Sequence, residues 1–416
     1  MIRILAAADL HLGRRPAPLH ASATPALFTP KAAFEGLINV AISQKVDILC
    51  FAGDLVDQDN DFFESLVPFQ KGLERLAAAS IPFVVVAGNH DAKILPKLVR
   101  AVPGEYLHFL GAGGSWERLE LTVRGKKLAI DGWSFPDSSY EDNPFDSYDL
   151  PEPEGLAIGL LHGECPGGRL SRYAPTQLSS YEGKAHLTWI LGHHHTSSKL
   201  TQRVFYCGSL LALDKSERGV HGAHLLTLED GKVESQLVPL SPLRFEEMVL
   251  KADGITVDGF ENALTDSFRI FDETLSEDCA EICGCHLRIT GVTPYFTQFY
   301  EKFLGFENEI CFSGKRRYYI YRMSDESEVD LDLHELKTGP MGALAQNQLA
   351  LLEQDSLRKA SLIAEAMEQV KQNLSSHFFT TFSEEISDEL LCSALLESGS
   401  AILKGLARQK EDSHEA

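Results

Sequence analysis

The sequence predicts an α/β fold. Short apolar runs rich in β-formers, among them Ile2 to Ala7, Ile48 to Ala52 and Ile81 to Val86, alternate with helical apolar stripes. Within two residues of each run's end comes a Gly or an Asp, and side chains suited to cations gather there. In open α/β sheets the carboxyl edge of the strands is where ligands bind. The residues that end the strands are therefore the candidates for function.

Taken in order, Ile2 to Ala7 is a first buried strand ending in Asp9-Leu-His11-Leu-Gly13. Asp9 and His11 stand two apart, so in extended chain they point the same way and can reach one cation. Thr29-Pro30 reads as a helix start with Pro at the first position. Phe34, Leu37, Ile38, Ala41 and Ile42 form the apolar stripe of that helix. The central strand follows and breaks at Gly53, with carboxylates at Asp54 and Asp57. Asp54 is expected between two metal ions, each of its oxygens serving one. A βαβ unit of this kind is expected to cross over right-handed.

A second helix is expected from about Phe62 to Ala79, then a strand that ends in Gly88-Asn89-His90-Asp91. Asn89 offers a neutral carbonyl oxygen to a divalent metal, and His90 an imidazole able to move a proton. Strands Leu128 to Trp133 and Leu156 to Leu161 lead to His162-Gly163-Glu164. The strand Leu187 to Gly192 ends in His193-His194-His195, where alternation favours the outer two histidines as ligands and leaves His194 as a neighbour.

Each motif alone reads as easily as a polar turn. Together they assemble Asp9, His11, Asp54, Asn89, His162, His193 and His195, a mixed N/O set without thiolate. That set suits Mn²⁺, Fe²⁺ or Zn²⁺. Seven ligands with one bridging carboxylate imply two metals roughly 3.5–4 Å apart, the arrangement for in-line attack on phosphorus.

This series resembles the calcineurin-like metallophosphoesterases, whose motifs run Asp-x-His, Gly-Asp-x-x-Asp, Gly-Asn-His-Asp/Glu, a lone His and Gly-His-x-His. All five stand here in order from Asp9 to His195. The resemblance implies a four-layer α+β sandwich core holding two divalent ions, Mn²⁺ being expected. Asp9, His11, Asp54 and His195 would hold one ion, and Asp54, Asn89, His162 and His193 the other. The Leu-His-Leu-Gly start, Gly208-Ser209 and the two-part tail are similar to the SbcD-type DNA repair exonucleases, in their YhaO-like branch. Asp57, where some nucleases of that family carry His, matches the phosphatase form. His90 is expected to serve the leaving oxygen, with Asp57 orienting and charging it.

Composition bounds the substrate. The 416 residues are 44% hydrophobic and carry a formal net charge of −22, so the protein as a whole repels nucleic acid. From Ser324 onward stand 18 acidic against 7 basic residues, half of that excess. Arg14, Arg15, Arg169 and Arg172, with Lys184, Lys199 and Arg203, flank the motifs and form a candidate phosphate-binding rim. The eight cysteines show no paired framework; Cys279, Cys283 and Cys285 with His286 are poorly spaced for zinc and read as core thiols. No secretory leader or membrane span is evident, which points to a cytoplasmic protein.

Three regions are expected: a nuclease domain over 1–240, a small α/β capping domain over 241–323, and an acidic helical region over 324–416. The capping region reads helix, strand, helix, strand, strand, and its Lys315 to Arg322 run interleaves basic and aromatic residues. In the last region Ile363, Met367, Val370 and Leu374 make one stripe. Thr381-x-x-Glu384 reads as a capping box ahead of Ile386, Leu390, Leu391, Ala394 and Leu395. The resemblance implies a DNA exonuclease and endonuclease acting in double-strand break repair with an SMC-like coiled-coil ATPase of the SbcC type, and it allows a homodimer. The alternative is a phosphatase or nucleotide phosphodiesterase on a small substrate, and a scaffold with a degenerate site is the non-enzyme rival.

Overall fold

The computed structural model describes residues 1–14, 28–58, 62–276, 278–328, 336, 341–353, 356–373 and 387–412. Strands β1 (Ile2–Ala7), β2 (Ile48–Ala52), β3 (Phe83–Val86) and β4 (Leu107–Phe109) run parallel and side by side. Helix α1 (Pro30–Ser43) joins the first pair and α2 (Phe62–Ala78) the second. The Thr29 hydroxyl accepts from the Ala32 amide at 3.2 Å, and Pro30 opens α1, so that helix starts where its sequence says it should.

A second sheet is built from β5 (Trp116–Val123), β6 (Lys126–Trp133), β7 (Leu156–His162), β8 (Thr188–Gly192), β9 (Ser198–Lys199) and β10 (Val204–Tyr206), in the order β5-β6-β7-β8-β10-β9. The hairpin of β11 (Gly222–Glu229) and β12 (Lys232–Pro239) then returns to the first sheet, where β11 pairs antiparallel with β1.

Alternation along the strands sorts the core into layers. Leu5, Leu49, Phe51, Phe83 and Val85 face Phe34 and Leu37 of α1 and Phe69, Leu73 and Leu76 of α2. Ile4, Ala6, Ile48, Cys50, Val84 and Val86 face the other way, onto Ile130, Ile158, Leu160 and Ile190 of the second sheet. The far side of that sheet is covered by Trp116, Phe145, Tyr181, Trp189 and Tyr206. Helices, sheet, sheet and an aromatic outer layer make the four-layer α/β sandwich. Central strands buried on both faces explain the unbroken apolar runs of the sequence.

A third sheet, of order β13-β14-β16-β15, comprises β13 (Leu243–Lys251), β14 (Ile282–Thr290), β15 (Ile310–Ser313) and β16 (Arg317–Asp325). Strand β13 has no counterpart in the pattern expected from sequence: buried Arg244 and half-exposed Glu246 and Glu247 interrupt its apolar run. The described chain divides into two compact units. The first comprises Met1–Glu247, Phe271–His286 and Asn308–Tyr321, and the second Met248–Ile270, Leu287–Glu307 and Arg322–Ala416. Within the second, helices Gly342–Leu352, Leu357–Asn373 and Asp388–Asp412 pack around Leu351, Ile363, Leu391 and Cys392, with Met367, Val370 and Leu395 at the margin. Leu374, Thr381, Glu384 and Ile386, expected to extend and cap these helices, lie outside the described residues.

One buried charge anchors the outer layer. Asp131 on β6 accepts from Arg118 at 2.7 and 2.8 Å, from His186 at 2.8 Å and from Tyr148 at 2.6 Å. Burial opposes its charge, but the hydrogen bonds from Arg118, His186 and Tyr148 outweigh it and hold the carboxyl at about 2. Its stabilisation is present above the ordinary carboxylate range and is lost as pH falls through about 2. Asp131→Ala leaves the half-buried Arg118 guanidinium and the buried His186 without their acceptor and is expected to cost about 3–5 kcal/mol in urea unfolding at neutral pH. A loss below ~1 kcal/mol, the worth of a surface pair, would contradict the anchoring role.

Candidate metal centre

The carboxyl ends of β1, β2 and β3 in one sheet and of β7 and β8 in the other carry the candidate ligands. Beyond the strands, the Asp9, Leu10 and His11 amides donate to Gly53 and Asp54 carbonyls at 2.9–3.1 Å, so the first two ligand loops are laced together. That lacing holds Asp9, His11 and Asp54 in left-handed backbone at φ 52°, 54° and 54°. His193 stands at φ 107°. Two glycines make the approach feasible. A Cβ on Gly53 would lie 2.4 Å from His162 Nδ1, and one on Gly88 2.2 Å from Asp54 Oδ1.

Three of the candidate ligand histidines have their Nδ1 engaged by the protein. His11 Nδ1 donates to Asp57 Oδ1 at 2.9 Å, His195 Nδ1 to Glu217 Oε1 at 2.6 Å, and His162 Nδ1 to the Ala52 carbonyl at 3.0 Å. Each bond selects the tautomer that leaves the Nε2 lone pair free. Those lone pairs converge. His11 Nε2 lies 3.1 Å from His195 Nε2, and His162 Nε2 lies 3.2 Å from Asn89 Oδ1 and 3.3 Å from Asp54 Oδ2. Acceptors that face one another at such distances repel unless a cation lies among them. The donor set fits two divalent ions.

Asp54 lies between the two groups of donors and would serve both ions. Its Oδ1 accepts from the His90 amide at 2.9 Å, and Oδ2 stands between His162 Nε2 at 3.3 Å and His11 Nε2 at 3.8 Å. The His90 amide takes one lone pair of Oδ1 and leaves another, so both oxygens keep a free lone pair. Asp9 borders both subsites: one cluster joins Asp9, His11 and His195, the other Asp9, Asp54 and His162. Its oxygens also accept from the His193 amide at 3.0 and 3.1 Å. The His193 ring packs edge-on to His162 at 5.4 Å and against Tyr173 at 4.8 Å. His194 is exposed, its ring against Tyr206 at 4.6 Å.

The electrostatics agree with a cation site. Burial penalises the His162 imidazolium, yet Asp54 and Asp9 push it up to about 9, so the surroundings favour positive charge at that point. Burial and the neighbouring His162 charge push His193 down to about 3, which keeps it neutral and able to ligate. Burial also raises Asp9. Asp91, raised to about 7 by burial and by Asp54, clamps the ligand loops by accepting from the Gly88 and Leu55 amides at 2.7 Å each.

Other residues singled out by sequence separate. The Asp57 carboxylate turns to His11 and stands 3.9 Å from His90, whose Nδ1 donates to the Asp57 backbone carbonyl at 2.9 Å. Asp57 therefore orients His90 through its main chain. Arg14 is half-buried near enough to lower Asp57; Arg169 and Arg172 are exposed, Arg172 3.4 Å from Glu141. Arg15 lies outside the described residues. Arg203 donates to the Glu182, Lys184 and His186 carbonyls, and Lys184 sits 3.7 Å over the Tyr148 ring, so both brace the outer layer. Cys283 and Cys285 are buried 3.9 Å apart, and none of the clusters of candidate ligands found among the described residues includes a cysteine. Sequence reasoning missed Glu217 and Tyr173. A lone Glu 22 positions after His195 belongs to no motif, and Tyr173 is marked only by its place in the loop after His162.

Removing a ligand tests the centre. Asp54→Asn or His193→Ala is expected to abolish phosphoester hydrolysis and to lower bound metal in elemental analysis. Unchanged stoichiometry in both variants would refute the two-metal assignment.

Comparison with known proteins follows the same residues. Residues 2–197 match the family described as calcineurin-like phosphoesterase. The chain is 25% identical to the metallophosphoesterase YhaO of Bacillus subtilis over 283 residues, 65% of this chain and 67% of that protein. It is 41% identical to the DNA double-strand break repair protein Mre11 of Methanosarcina mazei over 92 residues, 22% of this chain and 14% of that one. Among solved structures it is similar to a dimetal phosphatase from Danio rerio, at 12% identity and a TM-score of 0.37, covering 58% of this chain and 99% of that one. With the motif series and the converging donors, residues 2–197 form a calcineurin-like metallophosphoesterase domain.

Proposed function

We propose that this metallophosphoesterase is a two-metal phosphodiesterase acting on DNA, as exonuclease and endonuclease in double-strand break repair, with Mn²⁺ as its cations. The observation that carries the reading is the contrast around His90. Its side chain is 42% exposed, whereas those of Asp9 and His162 are fully buried. The proton-handling end of the site thus opens to the surface, where the end of a polymer can enter. Arg169, Leu170 and Arg172, in the loop whose Tyr173 packs on His193, are exposed as well, and the partial likeness to Mre11 points the same way. Acidic excess in the last region leaves the catalytic half less repellent to DNA than the net charge implies.

Two divalent cations in such a site supply an activated water and offset charge on the phosphoryl oxygens. The protein's own part is positional. Asp57 and Glu217 fix the ligand rings of His11 and His195, and the Asp57 carbonyl fixes His90 by its Nδ1–H. The other nitrogen of His90 then serves the leaving oxygen, donating a proton as imidazolium. A phosphatase or nucleotide phosphodiesterase on a small substrate is the second reading, favoured by the net charge of −22.

Mn²⁺-dependent release of nucleotides from duplex ends, measured beside a panel of p-nitrophenyl esters, separates the two. Turnover of the esters without release from DNA would overturn the nuclease reading. His90→Gln is expected to slow release by about 10²–10⁴-fold, as loss of a general acid does, with metal content unchanged. Loss of metal in that variant would make His90 a ligand.

The proposed partner, an SMC-like coiled-coil ATPase, would seat on the tail. Within the second unit, Leu390 and Ile402 of helix Asp388–Asp412 are 55% and 54% exposed, apolar side chains that a partner helix could engage. No helix among the described residues is long and apolar enough to cross a membrane, and the proposed location is cytoplasmic. Leu390→Asp with Ile402→Asp is expected to lose co-purification with an SMC-like ATPase while ester hydrolysis persists. Undiminished capture would remove the tail from the interface.

A further inference from the structure

We propose that the loop Leu213–Gly219 makes metal affinity at His195 depend on the third sheet, with Glu217 as the positioning residue that carries the coupling. The inference rests on the two-cation centre and adds to it a route by which that centre is tuned.

Glu217 is 8% exposed, and both of its oxygens are engaged. Oε1 accepts from His195 Nδ1 at 2.6 Å, and Oε2 accepts from the Leu213 amide at 2.8 Å. Its carbonyl is 3.2 Å from His221 Nε2, and His221 Nδ1 is 2.9 Å from the Ser209 hydroxyl. A carboxylate on Nδ1 sets the His195 tautomer, aims Nε2 and raises its basicity. The other two oriented ligands take their partners from the ligand loops or strand ends themselves: Asp57 for His11, Ala52 for His162. His195 alone among these three depends on a segment beyond the last strand of the second sheet.

That segment is bonded to itself. The Ser216 amide and hydroxyl both donate to Asp214 Oδ1, at 2.9 and 2.7 Å, and the Glu217 amide donates to the Asp214 carbonyl at 3.0 Å. Its other side is fastened to the third sheet. The Tyr321 hydroxyl on β16 donates to the Lys215 carbonyl at 3.1 Å, with Lys215 Nζ 5.0 Å from the Tyr321 ring centroid. Arg218 pairs with Glu247 on β13 at 2.6 Å, and the Gly219 amide donates to the Phe245 carbonyl at 3.0 Å. A short, internally bonded block held at both ends transmits displacement. Whatever shifts β13 or β16 shifts the carboxylate that aims His195. The bland alternative is that the loop merely staples the third sheet in place, with no consequence for metal.

Calorimetric titration of Mn²⁺ into the metal-free full-length protein tests the coupling. Glu217→Gln, nearly isosteric, is expected to weaken one of the two sites by about 10- to 100-fold and to spare the other, as loss of an outer-shell partner does. Tyr321→Phe with Arg218→Ala is expected to weaken the same site by about 2- to 30-fold, and to add nothing in the Glu217→Gln background. Equal affinities in Glu217→Gln and the unsubstituted protein would overturn the positioning role. A full additional loss in the combined variant would overturn the coupling. Should Glu217→Gln fail to fold, as thermal melting would reveal, Tyr321→Phe decides alone, since it removes one hydroxyl: unchanged affinity overturns the proposal. Absence of bound Mn²⁺ in the unsubstituted protein would instead refute the two-cation centre.

Discussion

The structure turns on one seam, where the end of β2 meets the end of β7. The Ala52 carbonyl accepts from His162 Nδ1 at 3.0 Å, and a Cβ on Gly192 would stand 2.0 Å from that same carbonyl. Two sheets can come this close only where side chains are missing from the contact. Everything at the centre is measured from here. His162 receives its tautomer, Asp54 its distance from that ring, and the β1 loop its lacing to Asp54. A wider seam would keep every ligand in the sequence and lose their convergence.

The centre also reverses the ordinary rule for buried charge. Carboxylates and imidazoles with little exposure are gathered at the end of an apolar sandwich, where an unpaired ion is costly. Each carboxylate nonetheless has hydrogen-bond donors: Asp9 the His193 amide, Asp54 the His90 amide, Asp91 the Gly88 and Leu55 amides. Backbone amides are donors that cannot titrate, so they hold negative charge in place without cancelling it. The result is a negative cup ringed by imidazoles, an arrangement that favours positive charge at its centre.

Sequence revealed most of what is local. Apolar runs located β1, β2, β3, β7 and β8 because central strands buried on both faces leave a continuous signal, and Thr29-Pro30 marked α1 by its cap. All seven candidate ligands stand at strand ends, so the pattern that found the strands found them too. What escaped depends on the third dimension. Whether the Asp57 carboxylate faces His90 or His11 follows from how two loops stack, and residue spacing is silent on that. Glu217 reaches His195 after two intervening strands. Arg203 looks like a rim charge until the carbonyls of Glu182, Lys184 and His186 are seen around it.

The left-handed backbone at Asp9, His11 and Asp54 restricts how this centre can evolve. Among side chains that bind metal, Asp, Asn and His are the ones enriched in that conformation. Cys, Glu and Met bind metal as well but have no such tolerance, so each would add strain to any change in ligand chemistry. The main chain thereby filters mutations before the metal does. Drift at these three positions is channelled among oxygen and imidazole donors, and a soft, thiolate-rich centre is remote from this sequence in mutational terms. Metal selectivity is inherited here from loop geometry as much as from the ligands themselves.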